Sequence, residues 1–239
     1  MAYCEHQYRR RFAKERTEKD WKNKAEDFID NGSWNYCFKG EATVSDPEQS
    51  FLCRYVFAKL MGIETKEIPA NKIYIKDDNI TYHFDLMNNL KDDQFENKYT
   101  IGNFAPIPAE PFPYPKAQTH AHLQLIHNWN NERWDLLLKH LKDNWCLGDL
   151  TFNQYMINTC QQLYFANVFE EFYKKYKNKK LDKVNWNKVV FDWNQEIGEN
   201  DLDVVSFKNP DSQAKIEFLI EARGRCILSI LKKQITTPT

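Results

Sequence analysis

The chain has 239 residues, 33 Lys plus Arg against 34 Asp plus Glu, a formal net charge of −1, 42% hydrophobic residues and 15% aromatic ones. Such a length buries a sizeable core, and the balanced charge excludes a uniformly basic nucleic-acid coat protein and an acidic tail protein. No apolar run reaches the 18 residues of a membrane span, and the charged stretch 1–24 does not resemble a secretory leader, so a cytoplasmic protein without membrane contact is expected.

Seven glycines occur and none are spaced G-x-G, which excludes a phosphate loop and a dinucleotide fingerprint. Six cysteines are scattered without a C-x-x-C pair, the usage of free, buried thiols in a reducing compartment. Cys4-x-His6 lacks the second half that a structural zinc site needs.

In chain order, residues 8–30 read as a helix with a sparse apolar stripe at Tyr8, Phe12, Trp21, Ala25, Phe28 and Ile29, ended by Asn31-Gly32-Ser33. Its remaining surface is charged, and the triplet Arg9, Arg10 and Arg11 is a candidate phosphate-binding face on an otherwise ion-paired helix. Trp34, Tyr36 and Phe38 alternate with polar residues and predict a short strand. Asp46-Pro47-Glu48 is a helix start, Phe51 to Leu60 in sequence carry apolar residues at helical spacing, and Gly62 is the stop. Ile73 and Ile75, then Asp77-Asp78-Asn79, then Ile80, Tyr82 and Phe84 predict a β-hairpin. Residues 85–99 read as irregular.

Prolines 106, 108, 111, 113 and 115 forbid a helix or a central strand over 106–115 and predict a stiff extended connection across the surface. Beyond it the chain reads as helical. A helix over 131–144 buries Trp134, Leu137, Leu138 and Leu141. Thr151-x-x-Gln154 is a capping box opening one long helix with Phe152, Tyr155, Met156, Leu163, Phe169 and Tyr173 on its stripe. Lysines from 174 to 180 suit the C-terminal end of that helix. Asn185 starts a shorter helix, residues 203–207 predict a brief strand, and Asn209-Pro210 precedes a last helix carrying Ile216, Leu219, Ile220, Ile227, Ile230 and Leu231. The fold class expected is α+β, predominantly α-helical with a small antiparallel β element in the N-terminal part. Residues 1–239 read as a single domain, with lobes 1–105 and 117–239 joined by the Pro-rich segment 106–115.

Candidate chemistry centres on Thr100-Ile101-Gly102-Asn103-Phe104, a Gly-Asn pair that tolerates left-handed backbone. Followed by Pro108 and by Arg133-x-Asp135-Leu136-x-Leu138, it resembles an uncharacterised bacterial protein family in which this element precedes an Arg-aromatic-Asp-Leu helix and then an aromatic-rich helix, here 163–176. The resemblance covers residues 99–176 and implies no activity. Between its two motifs the stretch 117–122 departs from the family pattern. More distantly, Ile-Gly-Asn elements are similar to those of HNH-type endonuclease domains. That resemblance implies His83 as the base that activates water, Asn103 as the residue that orients its loop, and a divalent ion on the phosphate.

His120 and His122 share one face if extended and are the candidate metal ligands, with His127 nearby. Arg133 and His140 share a helix face in the spacing of HEPN-type ribonucleases, while Arg133 with Asp135 also fits a structural clamp. No complete catalytic constellation emerges. The leading expectation is therefore a non-catalytic binding or interaction protein in a bacterial or phage conflict system, with an unidentified protein partner and nucleic acid as a second partner class. The alternatives are a metal-dependent nuclease using His83 and Asn103 and a ribonuclease using Arg133 and His140. No cofactor is expected, and a divalent metal enters only with the nuclease alternative. A cleft uniting His83, Asn103 and the helix at Arg133 is the juxtaposition on which these site residues depend.

Overall fold

The computed structural model describes residues 18–36, 51–62, 75–77, 80–86, 100–110, 141–143, 145, 150–186, 188–189 and 212–236, with the backbone alone over 18–22, 51–54, 75–77, 80–86, 107–110, 212 and 235–236. The elements run α1 (Glu18–Asn31), α2 (Phe51–Met61), β1 (Ile75–Asp77), β2 (Ile80–Leu86), a 3-10 turn (Ile101–Asn103), β3 (Phe104–Glu110), α3 (Phe152–Asn158), a second 3-10 turn (Gln161–Tyr164), α4 (Ala166–Tyr176), a third 3-10 turn (Leu181–Lys183) and α5 (Ser212–Thr236). The chain is thus predominantly helical with a small antiparallel element in its first half.

The predicted hairpin forms as β1 and β2, and β3 joins it in the order β1-β2-β3, all antiparallel. Pro106 and Pro108 sit in β3, an edge strand, where a missing N–H is tolerated. The Pro-rich segment therefore does not begin as a surface connection: Phe104, Ala105 and Pro106 are buried. Asp85 and Leu86, read as irregular from sequence, pair with Ala105 and Phe104 and extend β2.

α5 is the axis of the core. Leu219, Ile220, Ala222, Cys226, Ile227 and Leu231 are all fully buried along it. Buried residues from α1, α2, the Ile101–Phe104 region, α3, α4 and α5 belong to one contiguous cluster that spans both sides of the Pro-rich segment. Gly62 ends α2 with φ +72°, the left-handed stop that glycine supplies without steric cost.

Two local readings are corrected. Trp34 and Tyr36 lie in a turn, closed by Tyr36 N–H to Ser33 O at 3.1 Å, and not in a strand. Their alternation reflects packing on two different neighbours: Tyr36 meets Phe28 edge-on, and the Arg225 guanidinium stands over Trp34. The long helix predicted from Phe152 is broken. α3 stops at Asn158, Cys160 takes a left-handed φ of 53°, and α4 starts anew at Ala166. Residues 1–17, the helix start at Asp46, most of the helix over 131–144 and the strand over 203–207 lie outside the described residues.

The capping box is present in both halves: Gln154 N–H donates to Thr151 Oγ1 and Thr151 N–H donates to Gln154 Oε1. Thr151→Ala is expected to cost about 1 kcal/mol and to lower the thermal midpoint by about 2–4 °C, read by circular dichroism. An unchanged midpoint means that α3 is held by packing alone.

Candidate functional site

The Thr100–Phe104 motif is wholly internal. Thr100, Ile101, Asn103 and Phe104 are at most 1% exposed, and the 3-10 turn they build lies against α5. Gly102 has no left-handed backbone to explain it, contrary to the sequence expectation. A Cβ on Gly102 would collide with the Ile220 carbonyl oxygen and lie 2.9 Å from the Gly224 amide nitrogen. The missing side chain of Gly102 is what lets the turn meet the backbone of α5. At Gly224 a Cβ would press on Trp34 Cβ at 3.2 Å and touch Gly102 N at an ordinary 3.5 Å.

Arg223, one residue before Gly224, is the largest fully buried side chain described. Its Nη1 donates to the carbonyl oxygens of Gly102 at 2.7 Å and Phe104 at 2.6 Å, and its Nε donates to Thr159 O at 3.0 Å. The guanidinium also faces the Tyr164 ring at 5.8 Å. One cation thus joins α5, the 3-10 turn, the start of β3 and the end of α3. Next to it, Gln161 Nε2 donates to Tyr155 Oη at 2.8 Å, and Tyr155 Oη donates to Pro106 O at 2.5 Å.

The N–H and C=O of one strand residue point to the same side. The carbonyls of Phe104 and Pro106, taken by Arg223 and Tyr155, therefore face away from β2. The absent N–H of Pro106 lies on that same outer edge. Side chains of α3 and α5 thus cover the first part of β3, Phe104 to Pro106, on the edge that a sheet would otherwise offer to another chain.

Burial pushes the Tyr155 hydroxyl well above its ordinary range, against the opposing effects of the Gln161 hydrogen bond and the Arg223 charge. Cys226 is pushed up by burial first and then by the neighbouring Cys160 thiol. Both cysteines are free and buried.

Against the sequence-derived sites, the structure places Asn103 in the core with no exposed surface. His83 pairs with Ile107 of β3, and Asn103 lies in the 3-10 turn that precedes that strand. Arg9, Arg10, Arg11, His120, His122, Arg133, Asp135 and His140 lie outside the described residues. No three His, Cys, Asp or Glu side chains gather as a metal site among the described residues. No helix among them is long and apolar enough to cross a membrane.

A different site stands at the far end of α4. A cleft of about 530 Å³ is lined by Lys175, Tyr176, Lys179, Lys180, Lys183, Val184, Asn185, Lys188 and Val189. The lysines are exposed, Tyr176 and Val184 are half-buried, and Val189 is buried, so a basic rim surrounds an apolar floor. The ammonium groups of Lys175 and Lys179 lie 5.4 and 5.0 Å from the centre of the Tyr176 ring.

The walls of the cleft are anchored. Trp186 Nε1–H donates to Leu181 O at 2.9 Å, its ring packs on Phe172, and Asn185 Oδ1 accepts from Lys188 N–H at 3.2 Å. In sequence, the lysines from 174 to 180 read as complements of a helix C-terminus. The signal that points to the cleft is the continuation of the run to Lys183 and Lys188, beyond the helix, with Asp182 as its one acid.

Comparison with family models, with curated proteins and with solved structures finds no match to this chain.

Two outcomes follow for the hub. Arg223→Met strips donors from three buried carbonyls, each worth about 1–3 kcal/mol when left unsatisfied. Gly102→Ala forces the turn off α5. Both are expected to cost several kcal/mol in chemical denaturation, and a wild-type midpoint for either would mean that this junction does not hold the fold together.

The second outcome concerns pH. The folded protein holds the Tyr155 and Cys226 protons more tightly than the unfolded chain does. Stability is therefore complete below the ordinary thiol and phenol ranges and is expected to fall as pH rises through about 9 and 10. Tyr155→Phe is expected to flatten the steeper part, read from urea midpoints between pH 7 and 11.

Proposed function

We propose that the protein is a non-catalytic binding protein that captures a phosphate-bearing polyanion in the cleft at the end of α4. The observation that carries this reading is the convergence of five lysines on one cleft in a chain whose net charge is −1. Between positions 174 and 188 there are seven lysines and one aspartate, a local charge of +6 that leaves −7 for the rest of the chain. The one exposed pair at the rim, Lys183 with Asp182 at 3.9 Å, is too open to neutralise the cluster.

Lysine ammonium groups are compact, hydrated point charges that suit phosphate oxygens without requiring one fixed geometry. Among the described lining residues there is no carboxylate, histidine or cysteine to form an acid–base or nucleophile pair, which favours holding over turnover. A cytoplasmic setting belongs to the same reading, since Cys160 and Cys226 stay free there.

The protein is expected to bind phosphocellulose and to elute at clearly higher salt than a Lys179→Glu/Lys183→Glu variant. Five phosphate contacts predict a loss of affinity of about 100-fold between 50 and 200 mM salt. Identical elution of the two proteins would sink the proposal. Incubation with DNA and Mg²⁺ or Mn²⁺, or with RNA and chelator, is expected to leave both intact. Cleavage abolished by His83→Ala or by His140→Ala would replace this reading with the corresponding nuclease.

A further inference from the structure

We infer that the polyanion is a single-stranded nucleic acid, bound with its phosphates on the lysine rim and a base and sugar on the floor formed by Tyr176, Val184 and Val189. The inference rests on the anion-binding reading and adds the identity of the polymer. Three observations select it.

The first is the floor. An inorganic polyphosphate or a sulfated glycan uses only charge, whereas this cleft sets an aromatic ring and two valines among its lysines. A ligand that alternates anionic groups with flat apolar faces uses both parts, and base–aromatic stacking joined to a basic groove is how sequence-tolerant single-strand binding works.

The second is size. At about 530 Å³ the cleft matches an ordinary small-ligand pocket. That volume takes one nucleotide unit, and its apolar floor needs a free base face, which a duplex keeps inside its stack.

The third is the reach of the charge. Lys174 and Lys177 are exposed and lie outside the cleft lining, so the positive field continues past the pocket on α4 and the turn that follows it. A mononucleotide ends inside the cleft; a strand carries further phosphates out to these residues.

The surface is built on packed structure. Phe172 and Phe169 of α4 meet Phe218 of α5, and Lys215 of α5 bonds Glu170 at 2.8 Å, so α4 is fixed on its inner side while its lysine end faces solvent. Tyr176 itself rests on Phe172 with ring centres 4.6 Å apart. No conformational ordering of the helix is needed before a strand docks.

The test is fluorescence anisotropy on the full chain at 0.1 M salt with labelled 12-nucleotide oligo-dT and oligo-U. A 12-base-pair duplex, an inorganic polyphosphate of equal charge and uridine monophosphate serve as competitors. Either strand is expected to bind at least tenfold more tightly than the duplex or the polyphosphate, and millimolar uridine monophosphate is expected not to displace it. Lys180→Glu/Lys183→Glu, both exposed positions, is expected to weaken strand binding by more than tenfold with an unchanged melting curve. Tyr176→Leu is expected to weaken strand binding about tenfold while leaving polyphosphate binding unchanged, and Tyr176→Phe, which keeps the ring, is expected to restore it.

Equal affinity for strand and polyphosphate, or indifference to Tyr176→Leu, would overturn the single-strand assignment and leave the anion-binding reading standing. Displacement by the mononucleotide would reduce the ligand to a single nucleotide and overturn the polymer. Failure of every polyanion to bind would overturn both.

Discussion

A buried guanidinium needs acceptors, and Arg223 finds three in the backbone through Nε and Nη1. A charge with no exposed surface costs several kcal/mol of desolvation unless its N–H groups are occupied. The acceptors here are the carbonyls of Gly102 and Phe104, in the 3-10 turn and at the start of β3, and that of Thr159, in a separate stretch at the end of α3. The side chain therefore determines where α3 stops, how the 3-10 turn meets α5 and where β3 starts. Gly102 completes the device from the steric side, since a Cβ there would strike the Ile220 carbonyl and push the turn off α5.

The same junction explains the sheet. A three-stranded sheet with a proline-bearing edge is a weak unit alone. Its outer carbonyls at Phe104 and Pro106 are taken up by Arg223 and Tyr155, so the start of that edge is held by the helical part of the molecule. Tyr155 is held in turn by Gln161, and Thr159 Oγ1 returns a hydrogen bond to Tyr155 O at 2.7 Å. The break between α3 and α4 is thus a bonded structure in its own right and not a weak point in a longer helix.

α4 divides its work between two faces. Phe169 and Phe172 pack against α5, and the lysines at its C-terminal end and in the following turn stand outward around Tyr176. The aromatic core provides the fixed base on which repelling charges are gathered, and the hub at Arg223 fixes α5 on which that base rests. The candidate binding cleft and the Thr100–Phe104 motif are in this sense separate: one is a surface feature, the other a structural centre with no exposed atoms to offer a substrate.

Much of the local structure was legible in the residues. The capping box at Thr151, the glycine stop at Gly62, the hairpin around Asp77 and Ile80, and the last helix through Leu219 and Leu231 follow from hydrogen-bonding capacity and periodicity over a few neighbouring positions. The importance of Thr100–Phe104 was legible too, but not its role. A glycine needed for close approach to Ile220 looks the same in sequence as one needed for a left-handed turn. The partners of Arg223 lie 64 to 121 residues away, so no window along the chain shows them. The lysine cleft was hidden for a related reason: Lys175 and Lys188 fit ordinary solvated positions until the turn at Leu181, tied by Trp186, folds them around one floor. Short-range chemistry wrote the elements into the sequence, and only the tertiary packing decided which backbone carbonyls one arginine would hold and which charges would share a cleft.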